Sequence, residues 1–335
     1  MPHVPRMPLA LGLPLAVVTG LCMPVQGRIN GALGEVLDDG LATAVVSFGT
    51  GLFLMILICL LVPSGRAGVR RIAPAIRQKK FPRWYLLAGL SGAFLVVSQG
   101  ITISLIGVAL FTVAAVTGQS LSGLLVDRLG LGPAGKKPVT IMRVLSALLT
   151  VAAVAWAVSP KFAAGSDLSD WLIPVLLPLA AGFMQSFQQA FNGTQTLHFG
   201  SPLPATLVNL AVGMVLLVAA WLVKLAVAGV GNPLPDEWWY YLGGPIGCLF
   251  LALAAVLVRS LGVLLTGLGM IAGQVLGSLL LDVVFPAPGT IITTATVLGT
   301  LLTLVAMVLA TLPWPRTAFS PLRRKALVGA RERNR

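Results

Sequence analysis

Apolar residues along this chain fall in blocks of about 20, long enough to cross the hydrocarbon core of a bilayer. Ten blocks stand out: residues 8–28, 41–62, 84–105, 107–126, 139–158, 172–193, 203–228, 239–258, 261–283 and 290–312. Lipid gives the backbone no hydrogen-bond partners, so each block is predicted to be a helix. Only the polar Ser104 and the helix-permissive Gly107 mark a turn between the third and fourth blocks. The expected fold class is an all-α polytopic membrane protein with ten transmembrane helices.

The polar positions inside these blocks repeat. Gly20, Gln26, Asn30 and Gly31 recur 162 residues later as Gly182, Gln188, Asn192 and Gly193. Gly107, Gly118, Gln119 and Asp127 recur 155 residues later as Gly262, Gly273, Gln274 and Asp282. Paired blocks in one order, at nearly one offset, are the signature of a tandem duplication. Five spans per copy is an odd number, so the second copy enters the membrane inverted, an arrangement typical of alternating-access transporters. The expected organisation is a first five-helix repeat over 1–158, an outer linker over 159–171, a second, inverted repeat over 172–312 and a basic tail over 313–335.

Composition agrees with the pattern: 57% of residues are hydrophobic, 10% are charged and mean hydropathy is +0.94. The net charge of +13 would suit a nucleic-acid binder, but the charges are sorted by side. With an N-terminus in the cytoplasm, that side holds Arg6, the seven cations from Arg66 to Arg83, Arg128, Lys136, Lys137, Arg143, Arg259 and the seven from Arg316 onward. The outer side receives Arg28, Lys161 and Lys224, with Glu35, Asp38, Asp39, Asp167, Asp170, Asp236, Glu237 and Asp282. This is the positive-inside asymmetry, and the basic loop and tail suit anionic lipid headgroups. Membrane lipids are therefore expected partners and nucleic acid is not. The first span, flanked by Arg6, has the form of a signal peptide, but its counterpart at 172–193 lies deep in the chain, so it is read as a retained helix. Cys22, Cys59 and Cys248 all fall within spans and read as small buried side chains.

Amides in hydrocarbon must find partners or face water. Gln26 and Asn30 are four residues apart and share a helix face, as do Gln188 and Asn192. Pseudo-twofold symmetry would bring the two faces to a central axis, ringing a cavity, while the alternative is that the amides clamp helices together. Gln119 and Gln274 join them as pathway candidates, and Arg28, Asp127 and Asp282 are candidates for a gate or coupling site. One expectation is an Arg28–Asp282 ion pair that closes the outer mouth; the alternative is that Arg28 snorkels to the headgroups. Gly269, Gly273 and Gly277 form a small-residue stripe matched by Ala114, Gly118 and Ser122, with packing as its expected use. Pro24 removes a backbone donor and is expected to kink the first span.

The pattern Pro24-x-Gln26-x3-Asn30, its repeat in the sixth span, and Gly118-Gln119 through Asp127 resemble the YdcZ-like branch of the drug/metabolite transporter superfamily, related to the EamA-type ten-helix transporters. The resemblance covers the ten-span core and implies a multi-pass carrier of small organic molecules or metabolites in the bacterial plasma (inner) membrane. It implies no common substrate. Coupling stays open between proton antiport and facilitated diffusion.

Other function classes fit less well. An enzyme acting on a lipid-linked substrate would need clustered nucleophiles, acids or metal ligands, yet His3 and His198 lie in different regions without a neighbouring ligand. No catalytic residue, metal or cofactor is called for. A structural or signalling protein is the remaining alternative, and oligomeric state is not readable. The charge sorting makes one direct prediction: both termini face the cytoplasm. Alkaline phosphatase fused after Arg335 should be inactive and a fluorescent protein there should glow; an active phosphatase would require an odd number of spans.

Overall fold

A computed structural model describes residues 8–136, 138–163, 168–261, 263–288, 290 and 292–311. His3, Arg6, Lys137, Asp167, Gly262, residues 164–167 of the expected 159–171 linker and the tail over 313–335 lie outside the described residues, as do the side chains of Lys161, Asp170 and Arg259; the rest of that linker is helical, as the ends of α5 and α6. The helices are α1 (Leu9–Leu37), α2 (Gly40–Leu61), α3 (Pro63–Arg77), α4 (Ala88–Leu129), α5 (Ile141–Ala163), α6 (Leu168–Phe199), α7 (Pro202–Ala228), α8 (Gly243–Leu261), α9 (Val263–Val284) and α10 (Thr294–Thr311). There is no strand among the described residues. Among the described residues seven helices are long and apolar enough to cross a membrane, and Trp238–Ala254 and Thr294–Ala310 are shorter apolar ones.

The 42 residues of α4 are two helices joined at Gly107, whose φ of 80° and ψ of 168° break the helical path. The turn expected between the third and fourth spans therefore falls at Gly107, where a side chain would be strained. Its two arms form the centre of the bundle, with Ile103, Val108 and Ala109 essentially inaccessible. Around them Ala153 of α5 and Trp171 and Ala181 of α6 complete the largest core cluster. Apolar side chains on α2 and α7 face outward instead, with Phe53, Val215, Val223 and Val227 all more than 60% exposed; the bilayer is the solvent for that surface.

Two elements exceed the hydropathy pattern. The first is helix length: α1 continues past the expected end at residue 28 to Leu37, and α6 runs to Phe199 rather than residue 193. Gln26 and Asn30 therefore sit well inside α1. The second is α3, in a stretch expected to be loop. Pro63 occupies its first turn, Gly65, Gly68 and Ala75 are buried, and Ile72 and Ile76 pack against Phe81, Tyr85 and Phe199. With its arginines on the other face, α3 is an amphipathic helix of the kind that lies in a membrane interface.

Connections and contacts sort the bundle into two ends. At one, Gln195 Nε2 donates to Tyr85 O (2.8 Å), Tyr85 Oη donates to Leu131 O (3.0 Å), and His198 stacks on Phe81; α3 and its cations lie here. At the other, Asn232 Nδ2 donates to Val36 O (2.9 Å), and Lys224 of α7 pairs with Asp39 at 3.0 Å. Burial works against ionisation of Asp39, but the Ala42 amide, the Lys224 ammonium and the Leu41 amide together hold its carboxyl below the ordinary value. Asp39 is also the N-cap of α2, accepting from Leu41 N and Ala42 N, both at 3.0 Å. These are called the basic and acidic ends below.

Glycines set the helix crossings. A Cβ on Gly20 of α1 would overlap the Met270 carbonyl oxygen of α9, and one on Gly273 would overlap Val17 O of α1. At the corresponding positions, a Cβ on Gly182 of α6 would overlap Ala115 O of α4, and one on Gly118 would overlap Leu179 O of α6. A second pair follows the same offsets: Gly89 meets the backbone of Asn209 and Gly213, and Gly244 meets that of Ser47 and Gly51. Gly269 and Gly277 also face α1, against Ala16 and Leu21. Helices without side chains between them gain van der Waals contact over a long seam. Gly182→Leu and Gly273→Leu should each destabilise the fold by about 1–3 kcal/mol or more, read as lost monodisperse protein and a lowered Tm, whereas Gly267→Ala, with nothing within 4 Å of a built Cβ, should leave Tm unchanged.

Candidate functional site

A cavity of about 380 Å³ lies in the middle of the bundle, lined from Ser47 of α2 and Gly244 of α8 on the acidic side to Thr206 of α7 and Thr266 of α9 on the basic side. Met23 and Gln26 of α1, Phe48 of α2, Leu95 of α4 and Phe250 of α8 form much of its wall. Gln188 and Asn192 of α6 enter it beside Asn209 of α7, two to three helix turns from the Gly200–Ser201 turn at the basic end. A neighbouring cavity of about 240 Å³ shares Gln189 with it and is edged by Gln119 and Arg143. A third, of about 30 Å³, carries Gln99, Gln119, Gln185 and Gln274, with Ile103 and Val108 narrowing it towards the acidic end. The volume of the first is in the range of small-molecule sites.

The predicted amides divide between lining and clamping. Gln26, Gln188 and Asn192 line the central cavity. Asn30 does not: it is fully buried, and its Nδ2 donates to Gln99 Oε1 at 2.8 Å. In the second half the equivalent position keeps access, because Asn209 bridges its neighbours. Gln188 Nε2 donates to Asn209 Oδ1 (3.2 Å), and Asn209 Nδ2 donates to Asn192 Oδ1 (3.1 Å). Gln119 Nε2 donates to Gln185 Oε1, and Ser186 Oγ donates to Gln119 O at 2.9 Å, tying α4 to α6. Gln274 borders the smallest cavity.

The charged candidates sit at the two ends. At the basic end Asp127 pairs with Arg143 across 2.6 Å, at the edge of the 240 Å³ cavity. At the acidic end Asp282 is 2% exposed and accepts from Val108 N (2.9 Å) and Ala109 N (2.7 Å). Those are the first amides of the second arm of α4, left without partners by the break at Gly107, so α9 supplies the cap from elsewhere in the chain. Arg28 donates through Nε to Phe285 O (3.0 Å) and through Nη2 to Pro286 O (3.2 Å). Arg28 and Asp282 therefore meet the same region through backbone groups, each with its own partners, rather than as the direct ion pair expected. Among the described residues no group of three His, Cys, Asp or Glu side chains could hold a metal ion.

A membrane bundle with a central amide-lined cavity narrows the comparison with known proteins. The family model described as "Putative inner membrane exporter, YdcZ" matches residues 11–156 and 173–309. The chain belongs to this family. It is accordingly a membrane protein of the drug/metabolite transporter superfamily, in the YdcZ branch, a family described as inner membrane exporters. Each matched segment carries five of the hydropathy blocks. No curated protein matches the chain.

Sequence reasoning missed Gln99, Gln185, Gln189, Asn209 and Thr266. All are polar residues within apolar blocks, the signal that identified Gln26. They were lost because the repeat served as a filter: the positions matching Asn209, Gln99 and Gln185 are Ser47, Ala254 and Met23. Polar lining here is not symmetric even where backbone crossings are. The cap gives a direct test. Asp282→Ala leaves two buried amides without an acceptor and should cost about 1–3 kcal/mol, seen as a lower Tm in detergent, while Arg28→Ala, at a more accessible site, should cost less than about 1 kcal/mol. A wild-type Tm for Asp282→Ala would remove the cap from the account.

Proposed function

We propose that this protein is an alternating-access transporter of small organic molecules, built from two inverted five-helix repeats, with its basic end and both termini in the cytoplasm. The observation that carries the reading is the central cavity of about 380 Å³, with a further 240 Å³ beside it reaching Leu124 and Arg143 at the basic end and only about 30 Å³ among Gln99, Ile103 and Val108. This corresponds to a carrier open to the cytoplasm. Export requires that conformation for loading, in keeping with the family's description. The paired crossings at Gly20–Gly273 and Gly182–Gly118 support the repeat, since each joins the first helix of one half to the fourth of the other.

In this mechanism substrate enters from the cytoplasm and sits among Gln26, Gln188 and Asn192. Opening the acidic end requires α1 to part from the α9–α10 loop, breaking the two Arg28 bonds, while the Asp282 cap keeps the second arm of α4 joined to α9. Arg28 and Asp282 thus act at the outer gate. Asp127 is held by Arg143 and Asp282 by two amides, an arrangement that favours facilitated diffusion over proton antiport.

The amides provide the test. A metabolite panel screened by thermal shift on purified protein identifies a ligand, whose efflux from proteoliposomes is then followed. Gln26→Leu should lower transport at least tenfold with Tm retained, and Gln188→Leu, which also loses its bond to Asn209, should lower transport as much while Tm falls no further than in Asn30→Leu. Asn30→Leu, which strands Gln99, should instead lower stability by about 1 kcal/mol, within the range of interhelical bonds in membranes, and keep much of the activity. Wild-type transport in both Gln variants would sink the proposed pathway.

A further inference from the structure

The chemistry of the cavity wall goes further than its location, and the argument rests on the transporter reading above. Among the described residues that line the 380 Å³ cavity, none is charged. Its polar groups are neutral amides and hydroxyls, among them Gln26, Gln188, Gln189, Asn192 and Thr266. Thr266 is 1% exposed, and its Oγ1 has no hydrogen-bond partner within the protein. Asn192 Oδ1 is occupied by Asn209, leaving its own NH2 group towards the cavity; Gln188 spends one N–H on Asn209, leaving its carbonyl oxygen. The wall therefore offers both donors and acceptors. The remaining surface is apolar, from Met23, Phe48, Leu95, Phe250, Leu251 and Met270.

A charged solute loses its hydration on entering such a site and finds no countercharge to replace it. Arg143, on the wall of the neighbouring cavity, is paired with Asp127 at 2.6 Å. A neutral molecule with an apolar body loses little and gains hydrogen bonds at its polar head. We infer that the substrate carries no net charge: an uncharged, largely apolar molecule with a head group, such as a carboxamide or hydroxyl, that both donates and accepts hydrogen bonds.

The test compares molecules that differ only in charge. In a background with Cys22, Cys59 and Cys248 replaced by Ala, Met270→Cys places one thiol on the cavity wall, and its reaction with N-ethylmaleimide is timed in proteoliposomes. Competitors are matched trios on indole, naphthalene and adamantane scaffolds; the indole trio is indole-3-acetamide, indole-3-acetate and tryptamine. The neutral member of at least one trio should slow labelling threefold or more, with its acid and amine at the same concentration leaving the rate within error of the control. Introducing Gln26→Glu into the same protein should shift protection to the amine. Protection by an acid or amine equal to that by its neutral partner overturns the inference and leaves the transporter reading standing. If no competitor protects, and the metabolite panel also yields no ligand, the transporter reading fails and the inference with it.

Discussion

Hydrocarbon cannot hydrogen-bond to a backbone, and this constraint shapes the molecule down to individual side chains. It makes every crossing segment helical and makes any interruption expensive. The interruption at Gly107 leaves Val108 N and Ala109 N without helical partners, deep in the bundle. Asp282, from a helix 174 residues away in sequence, accepts from both. One carboxylate thereby joins the central helix of the first half to α9, and fixes where the acidic end of the bundle is held together. The bonds from Arg28 to Phe285 and Pro286 follow the same logic, since the residues after α9 have left the helix and their carbonyls need donors.

Close packing is the second consequence of the same solvent. Lipid supplies little hydrophobic force between helices, so association rests on contact area and interhelical hydrogen bonds. The glycine crossings provide the first at Gly20–Gly273 and Gly182–Gly118. Pairs such as Gln119–Gln185 provide the second. Both crossings bring α1 and α6 against the helices that frame the cavity, so the elements that hold the bundle together also position its polar lining.

The division of labour among amides shows how similar residues acquire different roles. Asn30 and Asn192 hold corresponding positions, yet Asn30 is sealed against Gln99 while Asn192 reaches the cavity through a chain that includes Asn209. Partner availability decides this: Gln99 has an alanine as its counterpart, and Asn209 has a serine. Matched sequence positions thus differ in access to the cavity because their polar partners differ.

The membrane class, the helical character of the apolar segments, the sorting of charge along the chain and the packing role of Gly118, Gly269, Gly273 and Gly277 were readable in the sequence, because each depends on local hydropathy or on a repeat spacing. Hydropathy finds any run long enough to span lipid, and small residues at matched offsets survive where backbones touch. The ends of α1 and α6 were not readable, since neighbouring helices rather than lipid cover their polar last turns. The helix α3 was missed for a related reason: its burial comes from Phe81, Tyr85 and Phe199, which hydropathy within residues 63–77 cannot register. Which amides face the cavity, and whether Arg28 meets Asp282 or a carbonyl, only the tertiary structure decided. Those outcomes depend on partners contributed by distant segments, and a polar side chain buried in a bilayer takes whichever partner the packing brings within about 3 Å.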